Sequence, residues 1–119
     1  MESDSKFQVE VKAEKLYFRI FDLTTCRQHY PVRFRRLADK MQDCSLMIHS
    51  DIVDANSLNA DYCKKQRYDL QTRAITNCNK LFSLIKYSMH SNLISAAAGE
   101  ELSGILLDVK HMTLAWRKN

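Results

Sequence analysis

PVRFRRLADKMQDCSLMIHSDIVDAN, Pro31 to Asn56, is the stretch whose reading decides the fold. After its basic opening, Phe34, Leu37, Met41, Cys44, Ile48, Ile52 and Ala55 recur in steps of three and four. That spacing puts them on one face of a helix. Pro31 suits the first helical position, where its missing N–H costs nothing. The turn-rich DANSLNAD that follows predicts the end of the helix. Two apolar residues, Leu46 and Val53, fall outside the core stripe, and so do the arginines at positions 33, 35 and 36.

The same period extends outward in both directions. Upstream, Val9, Ala13, Leu16, Ile20 and Leu23 predict a first helix from about Val9 to about Gln28, with residues 1–7 as a flexible tail. Downstream, Leu70, Ala74, Cys78, Leu81, Ile85 and Met89 predict a long third helix, with Asn59 or Asp61 as its cap. HSNLIS breaks it. Ser95 is placed to cap a fourth helix that turns Leu102, Ile105, Val109, Met112 and Trp116 inward. Four helices with short connections predict an all-α protein: an antiparallel four-helix bundle, up-down-up-down, as a single domain over residues 1–119.

Composition agrees. The chain has 119 residues with only 2 Gly and 1 Pro, too little punctuation for a strand-and-turn protein. A hydrophobic fraction of 45% is enough for one core. No apolar run is long enough to span a membrane, and the N-terminus lacks a secretory h-region, so a cytoplasmic location is expected. Cys26, Cys44, Cys63 and Cys78 form no CxxC pair and have no His at zinc spacing; they read as small buried residues or free thiols, with no metal or cofactor expected.

No phosphate-cradling glycine loop, HExxH or GxSxG is present. Cys44 and His49 lie about 140° apart on a helix, which rules out a dyad within it. No catalytic residue is assigned. Asp43, Asp51 and Asp54 read as residues that keep the second helix soluble and pair with nearby cations.

The formal net charge is +4. Residues 61–90 alone carry that excess, six cations against two carboxylates. Lys65, Arg73 and Lys80 are expected on the side opposite the core stripe, and Arg27, Arg33, Arg35, Arg36 and Lys40 cluster at the first interhelical turn. Arg33, Arg35, Arg36, Lys65, Arg73 and Lys80, with Arg117 and Lys118 at the end of the chain, are the candidates for phosphate contact. Aromatic interleaving is sparse, with only Tyr62 and Tyr87 suited to stacking on bases.

Three helices also carry a second apolar stripe of heptad-spaced pairs: Val11 with Phe18, Leu46 with Val53, and Leu107 with Leu114. An isolated bundle needs one stripe per helix. The pairs point to a subunit interface and hence to a homo-oligomer.

YPVRFRRLADKMQDCSLMIHSDIVDAN, YDLQTRAITNCNKLFSLIKYSMHSNLIS and EELSGILLDVKHMTLAWRKN together resemble the four-helix-bundle accessory variability determinants of diversity-generating retroelements, over about residues 10–118. The likeness lies in the aromatic-Pro turn, the leucine-and-basic third helix, and the Trp116-Arg117-Lys118 ending. Thr113, Leu114 and Ala115, with Lys110, stand where that family commonly has glycines. The resemblance implies a pentameric basic barrel without enzymatic activity, which binds a reverse transcriptase and its RNA template or cDNA and supports mutagenic copying. The alternative is a structural four-helix bundle of the intervening-sequence type, with no retroelement partner.

Overall fold

The structure, a computed structural model, describes residues 2–118, with side chains from Gln8 to Lys118. It contains α1 (Glu2–Thr24), a short 3-10 turn (Val32–Phe34), α2 (Arg35–Ser57), α3 (Lys64–His90) and α4 (Ala96–Lys118). The helices form a four-membered ring of neighbours, α1 on α2, α2 on α3, α3 on α4 and α4 on α1, and no diagonal pair has its backbones in close approach among the described residues. The antiparallel four-helix bundle expected from periodicity is the observed fold. α1 begins at Glu2 rather than near Val9, so residues 2–7 of the expected tail are helical; their side chains lie outside the described residues.

The core is the sum of the four stripes. Leu16, Ile20, Met41, Ile48, Ile52, Leu81, Ile85, Leu106 and Val109 are fully buried along the bundle axis. Each such side chain contributes about 1.5–3 kcal/mol by leaving water, so this row carries most of the drive to fold. On α4 the stripe is wider than its apolar spacing suggests. Leu106 and Thr113 are buried, and Thr113 satisfies its hydroxyl on the Val109 carbonyl at 2.7 Å.

The helix boundaries show where local chemistry overrides period. α1 stops at Thr24, short of the expected Gln28, and a turn brings Tyr30 into the core, where its hydroxyl meets the Met41 sulfur at 3.6 Å. Pro31 does not open α2 directly. It precedes the 3-10 turn, and α2 starts at Arg35. Asn59 does not cap α3; its side chain accepts the N–H groups of Asp61 and Tyr62 in a local turn, and α3 starts three residues after Asp61 with no side-chain cap. Ser95 does cap α4, accepting the Ala98 N–H at 3.1 Å. α3 ends with Asn92 at φ 59°, which lets the Leu93 N–H reach the Ser88 carbonyl and turns Leu93 and Ile94 into the end of the core.

Candidate nucleic-acid interface

Apart from Arg73, the expected phosphate-contacting residues fall towards the two ends of a bundle 47 Å long. At the first end, Arg27, Arg33, Arg35, Arg36 and Lys40 are all exposed around the α1–α2 connection. None makes an ion pair among the described residues. α2 begins there without a capping side chain and without an acidic residue in its first turn. The 3-10 turn takes up the first N–H groups, Phe34 on the Pro31 carbonyl at 2.8 Å and Arg35 on the Val32 carbonyl, so what adds to the arginines is the positive end of the helix dipole, with no acidic residue in the first turn to offset it.

Lys80 on α3 extends this basic end along the α2–α3 side. Burial raises the Cys44 thiol above its ordinary value, while Lys40 and Lys80 pull it down. Arg33 lies over the Phe34 ring at 5.3 Å and Lys86 over Phe82 at 5.1 Å.

Lys65, Arg117 and Lys118 sit at the other end, where α3 begins and α4 finishes. Fifteen residues separate Lys65 from Lys80, about 22 Å along the helix, so these two do not share a patch. Lys65 has Asp69 at 3.8 Å, an exposed i, i+4 pair worth little. Arg117 donates to the Thr72 hydroxyl at 3.0 Å and covers the Tyr68 ring at 5.0 Å.

Arg73 belongs to neither end. Its guanidinium clasps the Asp51 carboxylate with two hydrogen bonds, Nε to Oδ2 at 2.9 Å and NH2 to Oδ1 at 2.6 Å. The hydrogen bond to Asp51, and then that residue's charge, hold Arg73 above its ordinary pKa. Asp51 is 1% exposed, so it is a buried carboxylate rather than one that keeps α2 soluble. Arg73 leans toward α2 to reach it, away from the outward face assigned from the sequence.

Lys64 and Arg67 count among the six cations of residues 61–90 but were not among the candidates for phosphate contact. Arg67 is buried on α3 with its guanidinium 5.5 Å from the Trp116 ring, while Lys64 and Tyr68 are exposed beside it. The signal was present: Arg67 and Gln71 continue the Ala74–Cys78 stripe, so polar residues occupy core positions at the start of α3.

The second apolar stripes separate into two faces. Val11 and Phe18 point straight away from the core on α1, each about half exposed. Leu46 and Val53 lie on the side of α2 that also carries Gln42 and His49, whose partners Thr24 and Glu14 are on α1. Leu107 and Leu114 lie on the opposite side of the molecule, facing α3, where Leu107 shares a 250 Å³ groove with Phe82 and Cys78. Leu46 and Leu107 are exposed, and Val53 and Leu114 half-buried. Tyr17 and Phe21 enlarge the α1–α2 face, with ring centroids 5.5 Å from Tyr17 to Phe18 and 6.0 Å from Tyr17 to Phe21.

All four cysteines are free thiols, Cys44 and Cys78 buried. Among the described residues no group of three His, Cys, Asp or Glu could hold a metal ion, and no helix is long and apolar enough to cross a membrane. Comparison with protein-family models, curated proteins and solved structures gives no match for this chain.

Proposed function

We propose that this protein is a non-enzymatic, self-associating helical scaffold that holds RNA or DNA electrostatically, acting in the cytoplasm as an accessory to the reverse transcriptase of a diversity-generating retroelement. The observation that carries the nucleic-acid part is the first basic end. Arg33, Arg35, Arg36 and Lys80 are exposed without a carboxylate partner among the described residues, three of them at a helix N-terminus with no side-chain cap. Repetition of that end in an oligomer multiplies its field. The reverse-transcriptase partner and the pentameric state rest on the sequence resemblance.

Salt titration of single-stranded RNA binding tests the reading. Affinity should fall steeply with salt, and replacing Arg33, Arg35 and Arg36 with Ala should reduce the log–log slope by about 2, at roughly 0.7 per single-strand phosphate contact. Flat salt dependence in the unmodified protein sinks the reading. The polymerase arm is separate: a reverse transcriptase encoded beside this gene should co-purify with the chain.

A further inference from the structure

A pocket of about 300 Å³ lies at the second basic end, where α3 starts beside the end of α4. Lys64, Arg67, Tyr68, Gln71, Trp116 and Arg117 line it. Its volume is at the lower end of those that take small ligands.

Arg67 is the decisive residue. Only 9% of it is exposed, yet its guanidinium has no carboxylate partner and its Nε–H no acceptor among the described residues. A buried charge normally comes with its counter-charge. Asp61 is the one carboxylate in the pocket wall among the described residues, and it forms no ion pair with any of the three cations. The Trp116 indole N–H is likewise buried without an acceptor, and Gln71, 4% exposed, makes no side-chain hydrogen bond among the described residues. The donors gather at the start of α3, which has neither a side-chain cap nor an acidic first turn.

We propose that this pocket binds the phosphate of a nucleotide, with Arg67, Lys64 and Arg117 on the phosphate oxygens and the base against the face of the Tyr68 ring that Arg117 does not cover. Buried and unpaired N–H groups, a guanidinium fork and an open helix N-terminus are the donor set that a multi-oxygen anion satisfies. The aromatic wall favours a ligand that is planar on its other side. The inference rests on the nucleic-acid reading above and narrows it: the other end grips strands by charge, and this end takes a single phosphate. The nucleotide is either free or the 5′ end of a strand.

The chain has one tryptophan, Trp116, and it lines this pocket, so intrinsic fluorescence of the full chain reports occupancy. Titration with adenosine monophosphate should give a saturable change, with adenosine at least about tenfold weaker and inorganic phosphate competing. A 5′-phosphorylated oligonucleotide that binds more tightly than both the monophosphate and its 5′-hydroxyl counterpart assigns the pocket to strand ends. Equal or weaker binding than the monophosphate assigns it to free nucleotide. Arg67→Met should abolish the monophosphate response while the Tm holds or rises, because a buried unpaired charge is removed. If that variant does not fold, the Lys64→Ala/Arg117→Ala double variant should lose the response instead. No saturable change with the monophosphate, equal binding of adenosine, or an unchanged response in the folded variants overturns the proposal. RNA binding that persists through the Arg33–Arg36 end would then show that the pocket alone had failed.

Discussion

Asp51 and Arg73 carry the largest difference between what a residue type suggests and what its position does. Asp51 follows Ser50 in a helix rich in polar residues, yet it lies on the edge of α2 that meets α3 and is closed off from solvent. A buried carboxylate is tolerated because Arg73 satisfies both of its oxygens. Arg73→Met should therefore destabilise the fold, lowering the Tm by more than about 4 °C, although Arg73 is itself exposed. Adding Asp51→Leu should restore most of the loss, since an apolar pair avoids the desolvation cost of an ionic one; thermal melts of the single and double variants measure both steps. Cys78 sets a second residue-scale expectation. Burial pushes its thiol up to about 12, with Lys110 opposing weakly. The unfolded thiol ionises near ~8.5, so above that pH the unfolded state releases its proton first and stability falls. The stabilisation is whole below that value and is lost as pH rises towards the folded value, at about 1.4 kcal/mol per pH unit. The raised Tyr30 and Cys44 act in the same direction. Urea midpoints of Cys78→Ala should decline less between neutral pH and about pH 10.5 than those of the unmodified chain.

At the scale of elements, the two glycines of α4 have opposite environments. A Cβ at Gly104 would meet nothing within 4 Å, whereas one at Gly99 would run into the side chain of Met89 on α3. Gly104→Ala should stabilise the helix by about 1 kcal/mol, and Gly99→Ala should lower the Tm because Met89 must give up its place on the core. Gly99 is thus the close approach that seats the start of α4 on the end of α3. Neither environment can be read from the chain, because both glycines are simply helix positions until the neighbouring helix is in place. The helices themselves were legible, since a 3.6-residue period over twenty residues admits one regular structure. Some of their ends were legible too, Ser95 capping α4 as read, but others were not. Tyr30 leaves the α1 period to fill the core, and Asn59 spends its side chain on a local turn instead of on α3. The polar continuation of the α3 stripe at Arg67 and Gln71 was visible in the sequence, but that it meets Trp116 appears only once α3 is packed against α4.

For the whole molecule, what matters is that the apolar pairs occupy opposite sides. Periodicity placed all six residues outside the core stripes, but it does not say how two helices are turned relative to each other. In the folded bundle the face of Val11, Phe18 and Leu46 looks away from the face of Leu107 and Leu114. A two-fold dimer uses one face against itself, whereas joining the two different faces head to tail makes a ring or an open chain. The second arrangement uses both stripes, and it is the one expected here. Phe18→Asp and Leu107→Asp should each disassemble the oligomer on light scattering, because each removes one half of every joint. Mixed in equal amounts, the two variants should form a one-to-one dimer, since each retains the half that the other has lost. Should Leu107→Asp leave the assembly intact while Phe18→Asp dissolves it, the α1–α2 face pairs with itself and the head-to-tail arrangement is wrong. A monomer at micromolar concentration in the unmodified chain would remove self-association altogether, and with it the multiplied field on which strand binding by the first basic end depends.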